Sequence, residues 1–134
     1  MSGNQAKPGE RTTRKAKRDL SSYQYHAVYQ DSDGLIDYVD TSSSGIAMGI
    51  LYNKPDAANA EAEVVRTGTA LMYVDGNSAN IAIGALLGSN SNYHGVAVTD
   101  DNAQYFARAM EASTADGDLI EVELLGPNYI GASE

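Results

Sequence analysis

Apolar and polar positions alternate over short runs along most of this chain, which is typical of β-strands. The run "YQYHAVY" at 23–29 places its three tyrosines and Ala27 on one face of a predicted strand. "DSDG" at 31–34 predicts a turn, because aspartate accepts local backbone hydrogen bonds and glycine tolerates positive φ. "LIDYV" predicts the returning strand, so we expect a first hairpin here.

Further strands are predicted by apolar runs that glycine, asparagine and aspartate interrupt. They are "GIAMGILY" at 45–52, "EAEVVRTGTALMYV" at 61–74 with a bend at Gly68, "IAIGALLG" at 81–88, "GVAV" at 95–98 and a last alternating run that ends at Gly126. Loops are expected at "NKPDAANA" and "DGNSAN". This spacing predicts an all-β fold, a small β-barrel or β-sandwich of short antiparallel strands.

One segment, "DNAQYFARAMEAS" at 101–113, fits two kinds of secondary structure. Asp101 and Gln104 have the spacing of a helix capping box, whereas small and aromatic residues also suit a strand. Local propensity leaves helix and strand equally open at this point. After this segment, the Asp-Gly-Asp sequence at 116–118 predicts the turn of a final hairpin.

Charge divides the chain into two parts. Residues 1–20 carry six cations and two acids, a net charge of +4, whereas residues 21–134 carry three cations and 16 acids, a net charge of −13. The first part has one large apolar residue besides Met1, Leu20, so it cannot bury a face of its own. We therefore predict an extended basic N-terminal arm at 1–20, disordered when free, and a β-barrel or β-sandwich domain at 21–134.

The composition predicts a thin core and excludes some kinds of site. The chain has no cysteine, so disulfides and thiolate metal sites are impossible. It has 13 glycines and nine tyrosines but one phenylalanine and no tryptophan, so alanine and valine fill much of the interior. Small side chains contribute little burial per residue, and we expect self-association to add stability. No apolar run is long enough for a membrane span, so no membrane partner is expected.

No motif points to catalysis, to a cofactor or to a metal. His26 is expected to be an exposed strand residue opposite the tyrosines, and His94 a surface residue in a polar loop. The sequence has no nucleophile elbow, phosphate-binding loop or dinucleotide fingerprint. "DSDGLIDYVD" resembles a calcium loop in composition, but its glycine stands at position 4 and not at position 6. We expect no catalytic residue, no cofactor and no metal site.

The cations of the arm are the candidate binding residues. Three uses are open for them: docking on an acidic protein surface, a solvated tail, or phosphate contacts with nucleic acid. Docking on protein ranks first and nucleic acid last, because the body is acidic and the arm has no aromatic residue for base stacking. The candidate contact residues are Lys7, Arg11, Arg14, Lys15, Lys17 and Arg18.

The runs "GILYNKP", "AEVVRTG", "IAIGALL", "FARAMEAS" and "LIEVELL" together resemble the capsid cement, or head decoration, proteins of tailed bacteriophages. The resemblance covers about residues 23–126. It implies a small β-barrel or β-sandwich and favours a strand, rather than a helix, over Phe106 to Ala112. The long basic arm is unusual for that pattern.

The resemblance implies a structural virion protein rather than an enzyme. Its expected partners are the major capsid protein and neighbouring copies of itself, as a homotrimer near a threefold position of the shell. It would be made in the host cytoplasm and lie on the outer surface of the capsid. Three other functions stay open: a ligand-binding β-barrel with tyrosines in its pocket, an enzyme that uses His26 or His94, and a nucleic-acid accessory protein.

Overall fold

The computed structural model describes residues 8–39, 47–89, 93–99 and 104–129, with side chains described up to residue 125. All the regular elements in these ranges are strands, so the all-β prediction is confirmed. The strands are β1 (Arg11–Lys15), β2 (Ala27–Gln30), β3 (Ile36–Tyr38), β4 (Gly49–Leu51), β5 (Glu61–Val65), β6 (Thr69–Asp75), β7 (Leu86–Ser89), β8 (Gly95–Ala97), β9 (Gln104–Ala109) and β10 (Asp116–Tyr129).

The strands form two sheets. The first has the order β1-β5-β4-β2-β3, and the second closes into a barrel with the order β10-β6-β8-β7-β9. Neighbouring strands are antiparallel except β6 and β8, which run parallel where Val74 pairs with Gly95. Gly68, at φ 82°, lies between β5 and β6 and lets the chain pass from the first sheet into the barrel.

The buried apolar side chains form two clusters. The smaller one belongs to the first sheet and consists of Ala16, Leu20, Val28, Ile36, Leu51, Ala62 and Val64. The larger one combines barrel residues such as Met72, Val74, Leu87, Phe106 and Val122 with Ala27, Ile50 and Val65 of the first sheet, so it joins the two sheets. Tyrosines are absent from the buried members of both clusters.

The first hairpin is confirmed, but its first strand is shorter than expected. The turn at 31–34 forms as predicted, with Asp31 Oδ1 accepting bonds from the N–H groups of Asp33 and Leu35 and with Gly34 at φ 82°. The prediction of a strand from Tyr23 was wrong, because Tyr25 has φ 66° and the strand begins only at Ala27.

The resemblance to cement proteins implied a strand over Phe106 to Ala112, and a strand forms over Gln104–Ala109. The expected extension to Ala112 was wrong, because the strand ends at Ala109. It pairs with β10 on one side and with β7 on the other, so it is one of the strands of the barrel. The prediction of a turn at the Asp-Gly-Asp sequence was wrong. Gly117, at φ 88°, forms a bulge at the start of β10, where the register with β6 shifts. The chain reverses earlier, before residue 116.

The prediction of a disordered arm at 1–20 was wrong for its second half. β1 pairs with β5 from Arg11 to Lys15, and Ala16 and Leu20 are fully buried in the first cluster. A further bond runs from the N–H of Leu20 to the carbonyl oxygen of Pro55, at 2.8 Å. Pairing with β5 and the burial of these two apolar side chains therefore hold the segment on the domain.

Candidate functional site

The basic segment presents its cations along the outer edge of the first sheet. Three of them form ion pairs within the chain. Arg11 Nη1 lies 3.2 Å from Glu63 Oε1, Lys17 Nζ 3.1 Å from Asp31 Oδ2, and Arg18 Nη2 2.9 Å from Asp37 Oδ2. Lys7, the sixth predicted contact residue, lies outside the described residues.

Two of these ion pairs, those of Lys17 and Arg18, also hold the segment against the hairpin. Asp37 is buried, so the Arg18 guanidinium compensates a carboxylate that has little access to water. At Asp31, the N–H of Leu35 and the ammonium of Lys17 lower the carboxyl pKa. The guanidinium of Arg18 further lies over the ring of Tyr38, 5.2 Å from its centroid.

Arg14 and Lys15 differ from the other cations of the strand. Arg14 bonds only the neighbouring Thr13 carbonyl oxygen, at 2.9 Å, and neither side chain has a carboxylate within 4.0 Å among the described residues. Both side chains are exposed. They line a groove of about 430 Å³ between β1 and the turn of the first hairpin. These two cations are therefore free to contact another molecule.

One of the two histidines is not where the sequence predicted it. His26 is buried, with 7% of its surface exposed, so the prediction of an exposed strand residue was wrong. Its ring centroid lies 5.4 Å from that of His94, although His26 directly precedes β2 of the first sheet and His94 directly precedes β8 of the barrel. His94 Nδ1 lies 2.7 Å from Asp116 Oδ1.

The histidines belong to a cluster of rings that joins the two sheets. Tyr23 and Tyr38 stack with centroids 4.7 Å apart, and Tyr93 contacts both of them. Tyr73, from the barrel, contacts both His26 and His94. These four tyrosines thus contribute to the contact between the two parts of the domain.

Burial lowers the pKa of His26, and the neighbouring His94 acts in the same direction. A hydrogen bond between His26 Nδ1 and the carbonyl oxygen of Gln24, at 2.9 Å, acts against this decrease. The rings of the pair pack against tyrosines. The arrangement is suited to packing between the sheets.

Within the described ranges, no group of three or more histidine, aspartate or glutamate side chains is placed to hold a metal ion. The same ranges contain no helix with the length and apolar character needed to cross a bilayer.

Comparisons with known proteins give a fold but no family. No model of a known protein family matches the chain, and no curated protein matches its sequence. Among solved structures, the chain is similar to the N base of the head fiber gp8.5 of bacteriophage phi29. The TM-score is 0.61 with 17% sequence identity, over 87% of this chain and 93% of that chain. At this identity the likeness shows a shared fold.

Proposed function

We propose that this chain is a structural protein of a bacteriophage head, where it binds the assembled major capsid protein and stabilises the shell. The observation that carries the proposal is the likeness in fold to the phi29 head fiber base, which spans nearly the whole of both chains. The resemblance of residues 23–126 to capsid cement proteins, found from the sequence, supports the same class of function.

The basic edge of the first sheet is the proposed contact surface. In the residues described, Arg14 and Lys15 are exposed and have no internal carboxylate partner, so they come first. Arg11, Lys17 and Arg18 combine an internal ion pair with partial exposure, and they contribute at the margin of the surface. Exposed ion pairs contribute at most about 1 kcal/mol each, so attachment depends on several contacts acting together.

Self-association is part of the proposal. We place three copies around a threefold position on the outer surface of the capsid, where the symmetry of the shell supplies the axis. A unit that contacts several capsid subunits gains strength because the first contact raises the local concentration for the second. No catalytic role for His26 or His94 is part of this function.

Binding to heads tests the proposal. Heads assembled from the major capsid protein of the same phage genome are mixed with the full chain and separated by sedimentation. The chain is expected to sediment with the heads and to bind less as salt rises from about 0.05 M to about 0.5 M. Electron microscopy of the decorated heads then shows whether three copies surround a threefold position.

The matched control is the same chain with unassembled capsid protein. Binding to the assembled lattice alone is expected, because a cementing role needs contacts from more than one subunit. A chain that stays in the supernatant with assembled heads at every salt concentration would contradict the proposed function.

A further inference from the structure

The first sheet curves until its two outer strands, β1 and β3, come together at one point. Among the described residues, the bridge between Ala16 and Ile36 is the contact that joins them, and the N–H of Lys17 donates to the carbonyl oxygen of Ile36 there. From this bridge toward Thr13 the distance between the two strands increases, and the groove of about 430 Å³ lies between them. The sheet is thus a barrel with an open seam.

Backbone donors of β1 face this seam. In an antiparallel pair, successive residues bond alternately toward the partner strand and away from it. The bonds from Ala16 N–H to Ala60 O and from Arg66 N–H to Glu10 O show that the even-numbered residues of this segment bond toward β5. The N–H groups of Thr13 and Lys15 therefore point to the opposite side. An open edge of this kind is a template for an added strand.

The residues that line the groove restrict which side chains an added strand can have. Lys15 lies across from Glu61 in the β1–β5 register, whereas Arg14 lies across from Ala62. Asp33 and the half-buried Leu35 form the opposite wall. A carboxylate in the groove has a partner in Arg14, and an apolar side chain has one in Leu35.

We infer that the seam binds an extended segment of a partner protein, which adds a strand to the free edge of β1. The segment carries a carboxylate that pairs with Arg14 and an apolar side chain that packs on Leu35. This inference rests on the proposed function for the identity of the partner, a subunit of the major capsid protein. It assigns the partner's chemistry from the groove alone: an extended segment with a carboxylate opposite Arg14 and an apolar side chain opposite Leu35.

A peptide assay tests the groove without any capsid. The probe is a fluorescent heptapeptide of alternating valine and glutamate, and its anisotropy is measured with the full chain. Arg14→Glu is expected to weaken binding at least tenfold, whereas Arg66→Glu, a charge reversal at an exposed cation outside the groove, leaves it unchanged. A peptide with lysine in place of glutamate is expected to bind at least tenfold more weakly. Absence of binding at millimolar concentrations, or equal loss in both variants, would overturn the inference.

Amide hydrogen exchange distinguishes strand addition from a simple ion pair. With the peptide bound, exchange at Thr13 and Lys15 is expected to slow at least tenfold, because their N–H groups acquire acceptors. Thr12 and Arg14, which bond toward β5 already, change little. Peptide binding with no protection at Thr13 and Lys15 would contradict the added strand.

Binding of the Arg14→Glu chain to assembled heads separates this inference from the proposed function. Weaker binding than that of the Arg66→Glu chain supports both. Equal binding of the two variants overturns the inference and leaves the proposed function standing. If the unaltered chain does not bind heads, the proposed function fails, whereas the peptide and exchange results still decide whether the seam accepts a strand.

Discussion

The backbone N–H of Lys17 donates a 2.9 Å hydrogen bond to the carbonyl oxygen of Ile36, and this bond joins the basic segment to the first hairpin. The bond lies between two buried apolar residues, Ala16 and Leu20, that belong to the core of the first sheet. The basic segment is therefore part of the folded domain. Removing residues 2–20 would remove a strand and open this core, so substitutions are better tests of its role in binding.

Leu20→Ala is expected to destabilise the domain by about 2 to 5 kcal/mol, because it removes a fully buried side chain and leaves a cavity. Urea unfolding followed by circular dichroism measures the change in the free energy of unfolding. Ser22→Ala, at an exposed position in the same turn, is the control and should change little. A loss below about 0.5 kcal/mol for Leu20→Ala would mean that the segment is not held on the domain in solution.

Arg18→Ala is expected to cost about 1 to 3 kcal/mol, because it leaves the buried carboxylate of Asp37 without its ionic partner. The half-exposed guanidinium places the effect toward the lower end of this range. Thermal or urea unfolding gives the value. Arg66→Ala is the matched control, since Arg66 is an exposed cation that directly follows β5. Equal stabilities for the two variants would count against the Arg18–Asp37 pair.

Stability should fall as the pH decreases from about 8 to about 5. Because burial lowers the pKa of His26 below its ordinary value of 6.5, the folded protein takes up this proton less readily than the unfolded chain does. The unfolded state therefore gains protons first, and the folded state loses stability below about pH 7. Above that pH His26 is neutral in both states, so it no longer contributes to the pH dependence of stability.

His26→Gln is the variant that tests this explanation. Its free energy of unfolding should change less between pH 8 and pH 5 than that of the unaltered chain, whatever its absolute stability. The measurement stops at pH 5 because carboxylates become protonated at lower pH. Asp31 and Asp75, whose pKa values are lowered by hydrogen bonds, are examples. A pH slope that is identical in the two chains would refute a role for His26.

Gly49→Ala is expected to destabilise the first sheet by about 1 to 3 kcal/mol, because the added methyl group would collide with the backbone carbonyl of Val65 and with Val64. Both neighbours belong to β5, so neither can move without disturbing the ladder with β1. Ala57→Gly, at an exposed loop position, is the control for a change of one methyl group. Unfolding midpoints measure both. An unchanged midpoint for Gly49→Ala would mean that β4 and β5 are farther apart than described.

The strands and the first turn followed from local sequence, because alternation and turn residues act over a few positions. "DSDG" formed the turn that its aspartates and glycine predict, and Gly68 marked the bend between β5 and β6. The alternation around Tyr25 failed as a predictor. Its backbone is held instead by long-range bonds, one from its N–H to Leu51 O and one from Tyr73 N–H to its own carbonyl oxygen. Such bonds leave no local pattern.

The proposed contact surface depends on both the local sequence and the tertiary structure. The charge of residues 1–20 marks the segment, since a cluster of cations is visible in any sequence. Which cations are left for a partner depends on where the acids of the body lie. Arg11, Lys17 and Arg18 reach carboxylates, whereas Arg14 faces an open seam, and that difference exists only after the sheet has curved.

The sequence by itself determined the all-β class, the first turn and the division between a basic segment and an acidic body, because propensity, periodicity and charge are local properties. The tertiary structure alone decided that the basic segment contains a strand, that two histidines distant in sequence meet, and that a groove opens beside Arg14. These features depend on packing between residues distant in sequence. The burial of Ala16 and Leu20 stabilises the basic segment on the domain, and a local sequence pattern does not predict that burial.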